Sequence, residues 1–123
     1  MEISSLYTAD SHANGAEMQV KDQFGSDTDG FISFVGMDSD LWRKNKRESD
    51  RAALMAEMGK SDDDTDFIAL LLSKAALSWR GFTKDGEDMA FSTEAVLALF
   101  EAAPYILSQA NHFIGNNGNF TES

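Results

Sequence analysis

The stretch "FIALLLSKAALSW", residues 67–79, contains the longest apolar run of the chain. Its only polar residues are Ser73, Lys74 and Ser78, so no hydrophilic side can be drawn along it. A helix that is apolar all round is buried, either by the core of its own domain or by a partner. The sequence therefore predicts a helix over residues 67–79 that is central to the core or covered by another protein.

Residues 80–92, "RGFTKDGEDMAFS", form the connection that follows this helix. Asp85 and Gly86 favour a tight turn, because glycine adopts a positive φ without steric cost. Ser92 is a favourable N-cap for a helix over residues 93–102. Pro104 suits the first position of a further helix that ends near Gly115. Two short helices are therefore expected after the turn.

On the N-terminal side, residues 60–66 form the acidic linker "KSDDDTD". A helix is expected before it, over residues 41–58, after the capping residues Asp38 and Ser39. Between residues 43 and 51 this helix has no large apolar side chain. Its large apolar residues stand at the two ends and are Leu41, Trp42, Leu54, Met55 and Met58. Such a helix projects from a core or bridges two bodies.

The first third of the chain has the patterns of two strands. Residues 17–22 alternate between apolar and polar side chains, and residues 31–35 are aromatic and β-branched. The turn-rich residues between them favour a hairpin. The predicted fold class is α+β, mostly α-helical, with about four helices and a small N-terminal β-hairpin. A single domain is expected over residues 17–114, with a loose arm or edge strand at 1–16 and a polar tail at 115–123.

Charge is unevenly distributed over the chain, whose formal net charge is −11. Residues 41–60 are the exception, with six basic and three acidic residues. Most of the surface should repel nucleic acid, so no nucleic-acid partner is expected. The basic run "RKNKR", residues 43–47, is either a solvated helix face or a patch for an acidic partner, including the acidic part of a second copy.

The motifs predict no catalytic, cofactor-binding or metal-ligating residue. A calcium loop built around Gly30 or Gly86 lacks the ligands required at its first and last positions. His12 and His112 have no companion at zinc-ligand spacing, and the chain has no cysteine. Nucleophile-elbow and phosphate-loop motifs are missing as well. The protein is therefore not expected to be an enzyme, and its longest apolar run is too short to span a membrane.

The order of segments from residue 67 onward is more informative than any single motif. An apolar helix is followed by "WRGFTKDGEDMAFSTE" (residues 79–94), by a short helix and by a helix that opens with proline. This order resembles the tail assembly chaperones of long-tailed bacteriophages, and so does "GMDSDLWR" at residues 36–43. The resemblance covers roughly residues 17–114. The matching positions are Trp79, Gly81, Asp85, Gly86, Phe91, Ser92, Phe100, Pro104 and Ile106.

The resemblance implies a non-enzymatic role in viral tail assembly inside the infected bacterium. Proteins of this family bind the long, aggregation-prone tape measure protein. They keep it soluble while the major tail protein polymerises around it, and they are absent from the finished virion. The partners expected from the resemblance are the tape measure protein, the major tail protein and further copies of the chain in a homo-oligomer. The expected location is the host cytoplasm.

A chaperone of this kind needs exposed apolar surface and enough net charge to keep its complex soluble. The candidate residues for partner binding or self-association are Arg43, Lys44, Arg47, Met55, Met58, Phe67 and Leu71. Methionine adapts well to irregular partners. The alternative is that the apolar candidates are simply core residues. The basic face over residues 43–51 is also a candidate to pair with the acidic linker, residues 61–66, of a second copy.

A second function would also suit an acidic chain, namely mimicry of nucleic acid to inhibit a host DNA-binding protein. Such a mimic needs carboxylates spaced like phosphates along a continuous face. In this chain the acidic residues cluster in turns and are interrupted by the basic residues 43–47. This distribution favours the chaperone over the mimic.

Overall fold

Strands and helices form an α+β fold, as the sequence predicts. The computed structural model describes residues 14–58, 67–116 and 119–120. The predicted arm at residues 1–16 and the acidic linker at residues 60–66 thus lie wholly or mostly outside the described residues. The elements are β1 (Ala16–Lys21), β2 (Asp27–Phe34), α1 (Asp40–Glu57), α2 (Phe67–Ala75), β3 (Ala76–Arg80), β4 (Thr83–Lys84), β5 (Glu87–Asp88), α3 (Thr93–Ala102) and α4 (Pro104–Gly115).

The predicted N-terminal hairpin is confirmed, and β2 begins earlier than expected, at Asp27. β1 and β2 are antiparallel, with Met18 opposite Ile32. Because side chains alternate between the two faces along a strand, this register places the apolar side chains of β1 and β2 together on one face of the sheet. The buried members of that set are Met18, Val20, Ile32 and Phe34. The opposite face is mostly polar and carries Glu17, Gln19, Ser33, Ser78 and Arg80.

The prediction of one continuous helix over residues 67–79 is wrong. Helix α2 ends at Ala75, and the next five residues form β3, which pairs with β2 and completes a sheet of order β1-β2-β3. The change from helix to strand is stabilised by contacts with the end of β2. The Val35 amide donates to the Ala75 carbonyl at 2.9 Å, and Ala76 pairs with Phe34. A short apolar run does not distinguish a buried helix from a buried strand, so the sequence pattern could not show this switch.

The tight turn predicted at residues 85–86 is present, and it is the turn of a β-hairpin. Asp85 has a φ of 55° and Gly86 a φ of 85°, the two positive values that a two-residue turn of this type requires. The turn joins the two-residue strands β4 and β5. The hairpin is attached to the sheet through Trp79, whose indole Nε1 donates to the Met89 carbonyl at 3.0 Å. Trp79 also packs against Phe82, with ring centroids 4.7 Å apart.

The helix starts are those expected from the sequence. Ser39 and Ser92 are the N-caps of α1 and α3, and each hydroxyl accepts a hydrogen bond from a backbone amide of the first turn. Pro104 is the first residue of α4. α4 packs against β1, α2 and α3, whereas α1 packs against α2. The resulting core consists of Met18, Val20, Ile32, Phe34, Val35, Ala69, Leu72, Ala75, Ala76, Val96, Phe100, Ile106, Ala110, Ile114 and Phe120.

One core residue comes from the segment that was expected to be a polar tail, residues 115–123. Phe120 is buried, and its ring lies edge-on to Phe113 with centroids 5.5 Å apart. Asn119 supports it by donating from its side-chain amide to the Phe113 carbonyl at 2.9 Å. The domain therefore extends past the predicted boundary at residue 114, at least as far as Phe120.

Gly81 and Gly86 provide a matched test of the packing at the β3–β4 connection. Both have a positive φ. A Cβ on Gly81 would lie 1.9 Å from the Asp29 carbonyl oxygen, whereas a Cβ on Gly86 would have no heavy atom within 4 Å beyond its own residue and its chain neighbours. We expect Gly86→Ala to cost about 1 kcal/mol, the price of the left-handed conformation alone. Gly81→Ala should cost about 3 kcal/mol or more, because strand β2 must also move. Urea unfolding of both variants measures the difference, and equal losses would contradict the close approach.

Candidate functional site

Within the described residues, helix α1 packs against the rest of the protein along one side only. Its inward positions recur every three or four residues and are Trp42, Asn45, Ser49, Ala53 and Ala56. Only Asn45 among the residues of α1 is buried, with 8% of its surface exposed. Trp42 is half-buried against the main core. All residues of α1 other than these five inward ones are exposed, so the opposite side of the helix is open to solvent.

The opposite side carries a line of five exposed residues, which we call the outer stripe. It consists of Arg43, Arg47, Arg51, Leu54 and Met58, at successive spacings of four, four, three and four. Residues at these spacings are neighbours on one helix face. Lys44 and Met55 lie beside the stripe and are exposed too. The face is therefore basic over its first two turns and apolar over its last.

The basic half is free of ion pairs within the described residues. Arg43, Lys44, Arg47 and Arg51 have no carboxylate partner among them. Lys46, on another side of the same helix, differs because its Nζ lies 2.6 Å from Asp50 Oδ1. As far as the described residues show, the four cations can therefore pair with carboxylates of another molecule without first breaking an ion pair.

The large apolar side chains at the end of α1 are exposed. Leu54 is 56% exposed, Met55 45% and Met58 60%. Ile68, in the first turn of α2, is also 56% exposed. Leu54, Met55 and Met58 are grouped at the end of α1, and grouped exposed apolar side chains mark protein interaction sites more often than scattered ones do. We call these three residues together with Ile68 the apolar end.

The structure separates the predicted interaction residues into two groups. Arg43, Lys44, Arg47, Met55 and Met58 share the exposed face of α1. Phe67 is half-buried, and Leu71 is buried with only 7% of its surface exposed. Leu71 is therefore not part of the accessible surface. Its orientation could not be predicted because α2 has no polar side to define its outer face.

Leu54 and Ile68 are missing from the predicted interaction residues, whereas Arg51 is the last residue of the basic face that the sequence predicts over residues 43–51. Leu54 continues the spacing of Arg43, Arg47 and Arg51, so helical periodicity could have found it. Ile68 gave no such signal, because it lies in a helix whose neighbours are almost all apolar. The pairing of the basic face with the acidic linker of a second copy stays a prediction, since residues 60–66 lie outside the described residues.

A groove of about 430 Å³ lies between β1 and α4. Its polar lining comes from Gln19, Lys21, Ser108, Gln109, His112, Asn116 and Asn119. The side-chain amide of Gln109 is engaged there with the backbone of Lys21. It accepts from the Lys21 amide at 2.9 Å and donates to the Lys21 carbonyl at 2.8 Å. These two hydrogen bonds join α4 to the outer edge of β1.

The solvent face of the sheet is held by one ion pair that crosses all three strands. Arg80 donates to both carboxylate oxygens of Glu17, at 2.8 and 2.9 Å, while its guanidinium lies 3.9 Å from the ring centroid of Phe31. The hydrogen bond from Arg80 holds the pKa of Glu17 below its ordinary value. The pair therefore links the two outer strands, β1 and β3, over the middle one.

Two further observations concern metal ions and membranes. In residues 14–58, 67–116 and 119–120, no group of three or more histidine, cysteine, aspartate or glutamate side chains could hold a metal ion. No helix in the same residues is long and apolar enough to cross a membrane.

Comparison of the chain with known protein families, with curated proteins and with solved structures gives no match. The functional interpretation consequently depends on the surface of α1 and on the sequence pattern of residues 17–114.

The ion pair between Glu17 and Arg80 makes stability depend on pH in a defined direction. A carboxyl whose pKa is lowered by folding stabilises the fold above its unfolded pKa of about 4.3 for glutamate. This stabilisation is lost as the pH falls through the lowered pKa. We expect Glu17→Gln to lower the urea midpoint at neutral pH, and this effect should shrink as the pH falls below about 4.3, because the carboxyl of the unfolded chain is protonated first.

The control for this measurement is the same substitution in an Arg80→Gln background. There Glu17→Gln should leave the urea midpoint unchanged at every pH, because the partner of the carboxylate is gone. A pH-dependent effect of equal size in both backgrounds would show that Glu17 acts through some other group.

Proposed function

We propose that this protein is a tail assembly chaperone of a long-tailed bacteriophage, which binds the tape measure protein and keeps it soluble during tail assembly. The observation that carries the proposal is the apolar end, Leu54, Met55, Met58 and Ile68, exposed on the surface of the helical part. Exposed apolar surface of this kind is what a protein needs to cover an aggregation-prone partner.

The composition of the exposed face also supports a chaperone. Two of the four side chains of the apolar end are methionines, whose flexible thioethers adapt to irregular apolar partners. The net charge of −11 would keep a complex with an apolar client dispersed. The segment that carries the family resemblance, residues 79–94, includes the β4–β5 hairpin and its anchor Trp79.

The same proposal names the partners and the compartment. The client is the tape measure protein, the major tail protein polymerises around the complex, and the chaperone acts in several copies in the host cytoplasm without entering the virion. Nucleic-acid mimicry has less support, because the exposed face of α1 presents four cations instead of a continuous row of carboxylates.

Co-expression tests this function directly. The client to be tested is the tape measure protein, which we expect to be a very long, coiled-coil-rich protein encoded downstream of this chain, with a major tail protein gene upstream. We expect the soluble fraction of that client to rise several-fold when the chaperone is present, because its apolar helices are covered instead of aggregating. An unchanged soluble fraction would argue strongly against the proposal.

A pair of variants shows whether the apolar end is responsible. Leu54→Ser combined with Met58→Ser should remove most of the solubilising effect. Phe24→Ser is the matched control, since Phe24 lies in the β1–β2 turn and is 83% exposed. It also loses an exposed apolar side chain, but away from α1, so it should solubilise the client as the unmodified protein does. Equal loss in both variants would show that exposed apolar area in general, and not this surface, is what matters.

A further inference from the structure

The outer stripe of α1 combines two kinds of surface, and its chemistry specifies what can bind there. We propose that it binds an α-helical segment of the client in which a block of acidic residues adjoins a block of apolar residues. This inference rests on the proposed function, because it states the chemistry of the segment that the chaperone recognises.

The first step is geometric. Arg43, Arg47, Arg51, Leu54 and Met58 lie in one line along α1, since each follows the last by three or four residues. The line covers fifteen residue steps, or about 22 Å at 1.5 Å per residue. A second helix of about the same length, laid along the stripe, would contact both halves at once.

The second step concerns the basic half. Four cations stand within three turns of helix, and none of them has an ion-pair partner in the described part of the chain. The cations lie on a molecule of net charge −11, which disfavours nucleic acid as the source of negative charge. Carboxylates on a protein helix, spaced by three or four residues, match cations that are spaced in the same way.

The third step concerns the apolar half. Leu54 and Met58 directly continue the line of arginines, and both are more than half exposed. A purely acidic segment would cover the arginines and leave these two side chains in water. A purely apolar helix would desolvate the arginines without providing partners, which is costly. Only a segment with an acidic block and an apolar block both pairs with the arginines and covers Leu54 and Met58.

A second copy of this chain is a weaker occupant. The acidic residues 61–66 of another copy could meet the arginines, but most apolar side chains of the helix that follows them, α2, are buried in its own core and could not cover Leu54 and Met58 as well. Each copy also carries a net charge of −11. Like charges of this size oppose association outside the immediate contact. The client helix is therefore the occupant that the outer stripe favours.

Binding of designed peptides to the full-length protein tests the inference. The first peptide is a 16-residue helix with glutamates at positions spaced by three or four in one half and leucines in the other (length from the stripe, about 1.5 Å per residue). The matched peptide has glutamine in place of every glutamate. Each is made with the polar half first and with it last, because the stripe accepts a helix in either direction. Fluorescence anisotropy of labelled peptide measures the dissociation constants.

In the better of the two directions, we expect the glutamate peptide to bind about tenfold more tightly than its glutamine counterpart at low salt, since each exposed ion pair adds a modest increment. The difference should disappear at about 1 M salt, where charges are screened within about 3 Å. A glutamine peptide that binds as tightly as the glutamate peptide would overturn the proposal.

Two variants locate the effect on α1. Arg47→Gln combined with Arg51→Gln should bring the glutamate peptide down to the affinity of the glutamine peptide. Lys46→Gln is the control, because it removes a cation from the same helix but from outside the stripe. It should bind the glutamate peptide as the unmodified protein does. Circular dichroism checks that both variants are folded, and equal losses in both would refute a localised acidic docking surface.

The client assay separates this inference from the proposed function. If Leu54→Ser with Met58→Ser abolishes solubilisation while the double arginine variant solubilises fully, the chaperone function stands and the acidic block is wrong. If both variants fail, both proposals are supported, and if neither fails, the stripe is not the client surface. Light scattering tests whether a second copy occupies the stripe instead. If the protein forms an oligomer and the double arginine variant is monomeric, the basic half is a contact between copies, and the inference is overturned.

Discussion

The rest of the structure depends on the direct junction of α2 and β3. Ala75 ends the helix and Ala76 begins the strand, with no loop between them. The hydrogen bond from Val35 to Ala75 and the pairing of Ala76 with Phe34 hold this junction against β2. A helix that continues into a strand cannot move independently of the sheet. The junction therefore sets the place of α1, which packs on α2, and of the β4–β5 hairpin, which Trp79 of β3 anchors.

Much of this fold could be predicted from short stretches of the sequence. The hairpin, the turn at Asp85 and the serine caps were predicted because each depends on residues close together in the chain. The junction at Ala75 and the burial of Phe120 were not, because both depend on contacts with distant residues. The candidate surface shows the same division. Periodicity indicates which residues of α1 share a face, whereas the burial of Leu71 depends on how α2 sits in the core.

The anchoring of α1 has consequences for how its surface can work. Asn45 is its only buried residue, and elements with few buried apolar contacts open at a lower free energy than the core does. Its position is thus held by less apolar packing than that of α4, which buries Ile106, Ala110 and Ile114. A surface on such a helix can adjust to partners of varying shape, at the cost of some of the affinity that a rigid surface would provide.

The two hydrogen bonds between Gln109 and Lys21 reduce the risk of aggregation at an open sheet edge. β1 is an outer strand, and a strand with unpaired backbone groups is a template onto which another chain can grow. Gln109 supplies an amide that imitates one residue of a neighbouring strand, satisfying both backbone groups of Lys21. That position is closed to strand addition. Under the proposed chaperone function, this protection would keep one position of the β1 edge from pairing with strands of an aggregation-prone client.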